Sequence, residues 1–398
     1  MSKNQFLLTR RRTLLLGLGT FLATIACSDQ NRQTLADNDL TVSQDDLLKR
    51  SFSVNGKGSL KKRAAAKGLI YGGESAYEAV SADEDFANAI RRECNMLMNA
   101  GLKWHYGSKP LRPTPDTFDF TAGDWTADFA QKHNLLFRGH TLVWHQGLPP
   151  WFEETVKQEN AREILVNHVQ TVAKHFAGRI HSWDLLNEAI ELGDGRADNL
   201  RKTPWLEFIG PEYVEIAFRT AAEADPKAML VYNDYGLEYD TPDQEQKRTA
   251  VLKFLEDQKS KGTPIHALGI QSHLDHLEKT EKKFSAKKFR EFLKNVADLG
   301  LKIMLTELDV NDTKLPGDIN LRDRYVAAAY EDYLSVVLDE PAVIAVITFG
   351  LSDRYTWLTE FPREDGQPVR PLPLDAQMKR KLAWQAMARA IDAAPQRG

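Results

Sequence analysis

Two hydrophobic patterns alternate along the chain. In stretches such as Val166, Val169, Val172, Ala173 and Phe176, apolar residues recur three and four apart, which lines them along one stripe of a helix. Elsewhere they run unbroken, as in Ile303-Met304-Leu305 and Val343-Ile344-Ala345-Val346-Ile347, a pattern suited to parallel strands covered on both faces. The patterns predict strands at 69–71, 94–98, 135–144, 180–186, 228–233, 267–272, 302–308 and 342–348. Helices are expected between them at 83–92, 161–176, 212–224, 243–259, 287–298, 322–338 and 376–391. Strands and helices in this order predict an α/β fold, a (β/α)₈ TIM barrel with enlarged loops, as one catalytic domain over residues 59–392. A doubly wound open sheet also alternates, but it carries a Gly-rich phosphate turn after its first strand, and Tyr71-Gly72-Gly73-Glu74 is not one.

The first residues read differently. Lys3 and Arg10-Arg11-Arg12 precede an uncharged apolar run from Leu14 to Ala26. As a helix that run spans only about 20 Å, too short for a bilayer and right for an export signal. Residues 1–27 are therefore expected to be such a signal, of twin-arginine type. Cys27 follows Thr24-Ile25-Ala26 and is either lipidated or removed by cleavage nearby; a lipid there is the chain's one expected membrane attachment. Residues 28–58, rich in Asp, Asn, Gln and Ser, read as a polar linker. The other cysteine, Cys94, sits in an apolar run and is expected to be a buried, inert thiol with no disulfide partner.

Charge narrows the partners. A formal net charge of −4 excludes the basic surface a nucleic-acid binder needs, and the densest basic stretch, residues 278–290, interleaves acids and apolar residues as a solvated helix face does. The chain is expected to act as a monomer.

In such a barrel, chemistry sits at the carboxyl ends of the strands. Five successive predicted strand ends concentrate polar and aromatic residues: Arg138-Gly139-His140-Thr141-Leu142-Val143-Trp144-His145, Trp183-Asp184-Leu185-Leu186-Asn187-Glu188, Tyr232-Asn233-Asp234-Tyr235, Gln271-Ser272-His273 and Thr306-Glu307-Leu308-Asp309. Glu188 and Glu307, on the fourth and seventh strands, are the candidate carboxyl pair. Glycosidic cleavage needs one carboxylic acid for the leaving oxygen and one carboxylate for the anomeric carbon, and about 5–5.5 Å between them gives retention. The charge on Glu307 is expected to keep the proton on Glu188. Strict alternation would send Asn187 and Glu188 to opposite faces, so a bulge or strand end has to turn both inward. Glu191, Glu238 and Asp353 stand in reserve as acids; Asp353 more simply braces the loop between Phe349 and Trp357, and Asp184 and Asp234 fix loop ends. His140 with His145, or His273 with His276, lack an accompanying zinc-type ligand set, so no metal and no cofactor are expected.

Together with Gly350-Leu351-Ser352-Asp353 and Trp357, four of these motifs resemble glycoside hydrolase family 10, the endo-β-1,4-xylanases, over residues 59–388. The resemblance implies Glu188 as acid/base and Glu307 as nucleophile of a retaining endo-glycosidase acting on β-1,4-xylan. It implies that Asn187 binds the 2-hydroxyl of the reacting sugar and that His273 orients Glu307, with Gln271 and Asp309 in support. Lys103, His140 and Trp144 would line the glycone side and Trp357 would cover the sugar, with Asn99, Tyr235 and Phe349 at further substrate-binding positions. The chain departs from the family where Asn99-Ala100 replace Glu-Asn, Gly147 replaces Gln, Phe349 replaces Trp and Gly236 replaces Asn. These changes fall on substrate grip rather than on the carboxyls. They leave open a preference for another or decorated β-glycan, such as a β-glucan, and, with the chemistry lost, a carbohydrate-binding barrel.

Overall fold

The computed structural model describes residues 44–107, 110–275 and 284–397. The expected export signal, Cys27 and residues 28–43 lie outside the described residues, as does His276.

Nine strands form the sheet: β1 (Ile70–Glu74), β2 (Met96–Asn99), β3 (Leu136–Val143), β4 (Ser182–Asn187), β5 (Met229–Asp234), β6 (Ala267–Ile270), β7 (His273–Asp275), β8 (Lys302–Asn311) and β9 (Val343–Thr348). Each of β1 to β6 pairs in parallel with its neighbour, β1 with β9, β9 with β8, and β8 with β6, which closes an eight-stranded barrel. β7 carries the line of β6 onward after a break at Gln271-Ser272 and pairs with the far half of β8, setting His273 opposite Asp309. The break is local: Ser272 takes a left-handed φ of 63°. For that reason the run expected at 267–272 is two strands.

All eight predicted strands are present, displaced by one to three residues. Alternation along them divides the interior into two layers. Met96, Met98, Val231, Ala267, Met304, Ala345 and Ile347 fill the barrel centre, whereas their neighbours in sequence point outward into the layer shared with the helices. Arg138 also points inward, fully buried, and pairs there with Asp184 and with Ser182 Oγ at 2.8 Å. On the outer face Gly139 is required by packing, since a Cβ there would lie 2.0 Å from the Trp183 ring.

Helix ends follow capping chemistry. The helix Ile319–Val337 begins three residues before its apolar stripe because the Asp318 carboxylate accepts from the Leu321 amide. The last helix, Leu382–Ala393, starts later than expected because Asp375 captures the Gln377 and Lys379 amides in a turn. A helix not foreseen, Thr121–Lys132, buries Gly123, Thr126, Ala127 and Ala130; its stripe is regular but made of residues too small to register as apolar.

The linker expected over residues 28–58 is in its second half a docked strap. A short helix, Gln44–Lys49, buries Leu47, and Phe52 follows it into the core. Arg50 supplies the polar seal. Its guanidinium donates to Glu331 at 2.8 Å and to Asp332 at 2.6 Å, both on the helix Ile319–Val337. Two apolar residues in a polar run carry no periodicity, so this contact has no signature in sequence. Arg50→Ala takes the ion-pair partner from the buried Asp332, while Glu331 beside it keeps Arg389 at 2.6 Å. It is expected to cost about 1–3 kcal/mol and to lower the midpoint of thermal unfolding by roughly 2–6 °C. An unchanged melt would mean that the Arg50 ion pairs contribute nothing to stability.

Candidate active site

The mouth of the barrel opens into a cleft of about 1400 Å³ lined by Asn187, Glu188, Gln271, His273, Glu307, His140, Trp144, Lys103, Tyr235, Phe349 and Trp357, among others. That exceeds the roughly 300–1,000 Å³ of a typical small-molecule site. Asn187, the last residue of β4, and Glu188 just beyond it both face the cleft, through a shift in the register of β4 against β5 between Asp184 and Leu186 followed by a left-handed Glu188 with φ 56°. The Glu188 backbone is pinned on both sides: its amide donates to Asn233 O at 2.8 Å, and its carbonyl accepts from Arg201 Nε at 2.7 Å. A non-glycine residue in this conformation costs on the order of 1–2 kcal/mol, and these two bonds hold it there.

Glu307, 5% exposed, projects from β8 into a ring of donors. Asn233 Nδ2 donates to its Oε1 at 2.7 Å, His273 Nε2 faces its Oε2 at 3.4 Å, and His140 Nδ1 lies 3.9 Å from Oε1. Burial alone would raise this carboxyl; the charges of His140, His273 and Lys103 and the hydrogen bond from His273 overcome it and bring its pKa down to about 2. Each partner is itself backed. His273 Nδ1 is 2.9 Å from Asp309 Oδ1, and burial, which disfavours its charge, is outweighed by Asp309 and Glu307, so its pKa stands well above the usual value. His140 Nδ1 is 3.0 Å from Asp184 Oδ2, whose other oxygen holds the buried Arg138. Asn233 accepts from Thr306 Oγ1 at 2.6 Å and donates to Asn187 Oδ1 at 2.8 Å, so one amide bridges Glu307 to the end of β4. It fits because residue 269 is glycine: a Cβ there would stand 2.4 Å from Asn233 Oδ1.

Glu188 has the opposite environment. Burial raises its pKa, and the charges of Asp234 and Glu307 add to that. Gln271 Nε2 at 3.0 Å and Trp144 Nε1 at 2.9 Å donate to its oxygens and offset the rise in part. The two carboxyls of one cleft are driven apart in pKa by their surroundings.

The aromatic walls are braced by the same network. Trp357, 37% exposed, donates from Nε1 to Asp309 Oδ2 at 2.7 Å, and Phe349 packs edge-on to His273 at 5.7 Å between centroids. Tyr235 is held through its hydroxyl by Arg201 at 2.9 Å. Asp309 is buried beneath the site rather than in the cleft wall. One expected substrate contact is corrected: Asn99 is 1% exposed and turned away from the cleft, its Oδ1 accepting from the Gly101 amide at 2.8 Å. Among the reserve acids, Asp353 is an ion-pair partner of Lys381 at 2.8 Å, and Glu238 accepts from the Ser272 amide at 3.0 Å; both brace loops. Asn233, Arg201 and Glu74 were not singled out from sequence. Asn233 lies in the polar cluster that ends β5, but Arg201 follows the strand by many residues and Glu74 ends a short strand with no flanking polar cluster.

One carboxyl pushed toward its protonated form and one held toward its charged form, facing the same open cleft, meet the needs of glycosidic cleavage. The barrel is thus that of a glycoside hydrolase. The sequence profile described as Glycosyl hydrolase family 10 matches residues 59–390, and the chain belongs to that family. It is 34% identical over 288 residues to endo-1,4-beta-xylanase B of Thermotoga neapolitana, covering 72% of this chain and 78% of the relative. To the beta-1,4-xylanase of Dictyoglomus thermophilum it is 33% identical over 310 residues, 75% of this chain and 82% of the other. Among solved structures, xylanase 10B from Thermotoga petrophila RKU-1 in complex with xylobiose superposes with a TM-score of 0.75 at 31% identity, over 85% of this chain and 99% of that one.

The hydrogen bonds to Glu188 set a pH dependence with a definite sign. Donors to its oxygens favour the charged form, so removing one raises its pKa. Gln271→Leu is expected to move the alkaline limb of the kcat/KM profile to higher pH, because Glu188 then keeps its acid proton longer. A limb that stays put or moves to lower pH would show that another group controls it.

Proposed function

We propose that the protein is an endo-acting β-1,4-xylanase that cleaves with retention, Glu188 serving as acid/base and Glu307 as nucleophile. The observation that carries the proposal is the opposed electrostatics of the two carboxyls, one raised and one held at about 2, in a single cleft. In the first step a Glu307 oxygen bonds to the anomeric carbon, the glycosidic C–O bond breaks, and the Glu188 proton passes to the departing oxygen. The glycosylated Glu307 no longer carries charge, so Glu188 is free to hold a negative one. In the second step Glu188 takes a proton from water, the water oxygen bonds to the anomeric carbon, and Glu307 leaves as carboxylate. Asn187, fixed by Asn233, is placed for the 2-hydroxyl of the reacting sugar. Trp144, Phe349, Trp357 and Tyr235 give the flat apolar faces on which pyranose rings stack, and a cleft of this size takes an internal stretch of polymer. The xylan assignment is supported by the family and by the relatives, whose names are those of xylanases.

Glu307→Ala is expected to lower kcat by roughly 10³–10⁵-fold, with azide partly restoring turnover and giving a glycosyl azide of inverted configuration. Glu188→Ala should spare kcat/KM for an activated aryl xyloside, whose leaving group needs no protonation, and release the aryl group in a burst before slow deglycosylation, while kcat/KM on xylan is lost. Equal losses on both substrates would remove Glu188 from the acid role.

We also infer that the chain is exported and acts as a monomer. Export rests on the arginine-led apolar run of residues 1–27, and the monomer on a cleft assembled from one chain's residues. Mass spectrometry of the mature protein is expected to find an N-terminus at or just after Cys27, with a diacylglycerol mass on Cys27 if it is retained. Unprocessed full-length chain in the cytoplasm would end the export reading.

A further inference from the structure

Beyond the reacting carboxyls the cleft contains a third glutamate. Glu74 is the last residue of β1, paired in register with Met98 of β2, and its half-buried side chain lines the cleft. Beside it β2 runs into a 3₁₀ turn over Ala100–Leu102, where Ala100 is too short to compete for the space that Glu74 enters and its backbone amide donates to the Glu74 carboxylate. Lys103 follows that turn. Its ammonium stands 5.1 Å from the ring centroids of both Tyr106 and Trp144, with the open backbone of Gly147 behind its stem. Lys103, Glu74, Glu188 and Glu307 line the one cleft, and the charges of the three glutamates offset the lowering that burial imposes on Lys103. Among the described residues no ion pair joins Glu74 to Lys103, although both face the same space. Burial raises Glu74, Lys103 draws it back and Glu307 pushes it up, leaving it at about 7. A carboxyl poised between its two forms exchanges roles as hydrogen-bond acceptor and donor readily.

We infer that Glu74 is a specificity-determining residue: with Lys103 it binds the two adjacent free hydroxyls of the sugar one unit beyond the reacting one on the glycone side. A carboxyl group can engage both hydroxyls of a trans-diol at once, and the ammonium donates to the nearer oxygen. The substrate class follows from this chemistry. It is a β-glycan whose sugar at that place is unsubstituted on both hydroxyls, since an acyl, alkyl or glycosyl group there removes a donor and crowds a half-buried carboxyl. This deepens the xylanase reading and rests on it for the identity of the sugar.

Two aryl glycosides isolate the contact. An aryl β-xyloside fills only the reacting glycone position, whereas the aryl β-xylobioside adds the one sugar assigned to Glu74. In Glu74→Ala the ratio of kcat/KM for bioside over xyloside is expected to fall by about 10-fold or more, with kcat/KM for the xyloside changed by less than about threefold. Glu74→Gln, which keeps the shape and one acceptor, should lie between. The bioside methylated at O2 and O3 of its outer sugar should be a poor substrate for the wild type, and Glu74→Ala should treat methylated and free biosides alike. An unchanged ratio would overturn the inference. So would equal losses on both glycosides, which would mean that Glu74 acts through the charge on Glu307. Intact xyloside activity in the variants certifies folding. If the wild type turns over neither xyloside, the polymer assignment is what fails, and the aryl glucoside and cellobioside decide the role of Glu74 by the same ratio.

Discussion

The structure around the mouth is organised by one requirement: Glu307 must carry a full negative charge where water hardly reaches. An uncompensated carboxylate in such a place costs several kcal/mol and would take up a proton instead. Three separate supports prevent that. His273 is held by Asp309, which also fixes Trp357; His140 is held by Asp184, which reaches down the barrel axis to Arg138; Asn233 ties Glu307 to Asn187. Each support does a second job in shaping the cleft, so the charge and the shape of the site stand or fall together. The same polar column explains why a barrel centre otherwise made of Met, Val, Ala and Ile tolerates a buried arginine.

This arrangement also separates two glutamates of identical intrinsic chemistry. Glu188 receives three neutral donors, from Gln271, Trp144 and Asn187, and feels nearby negative charge, whereas Glu307 faces cations. A neutral donor orients a carboxyl without forcing its ionisation. The division of labour is therefore written in the neighbours of each residue and not in the residue.

Much of this was legible in the sequence because barrel strands are short, apolar and end abruptly in polar residues. Ile303-Met304-Leu305 before Thr306-Glu307 marks both a strand and a place where chemistry begins. What stayed hidden shares a physical cause, namely contacts between segments remote in the chain that leave no periodic trace. Arg50 seals a strap against Glu331 and Asp332 across 281 and 282 positions of sequence. Glu74 matters because of what β2 lacks at Ala100, and Asn233 because Gly269 makes room for it. Asn99 differs for the converse reason: its place ahead of Lys103-Trp104 suggests a sugar contact, but its short side chain reaches the backbone amide two residues on, that of Gly101, first.

The left-handed backbone at Glu188 has a consequence of its own. Glycine or asparagine would sit in that conformation more comfortably than glutamate does, so this position is one where selection for activity and selection for a robust fold pull in opposite directions. In a descendant released from the need to cut polysaccharide, drift at residue 188 would run toward those two residues. A barrel of this architecture with Gly or Asn in that place would thus be recognisable as a retired enzyme, relieved of strain at the point where it once held its acid.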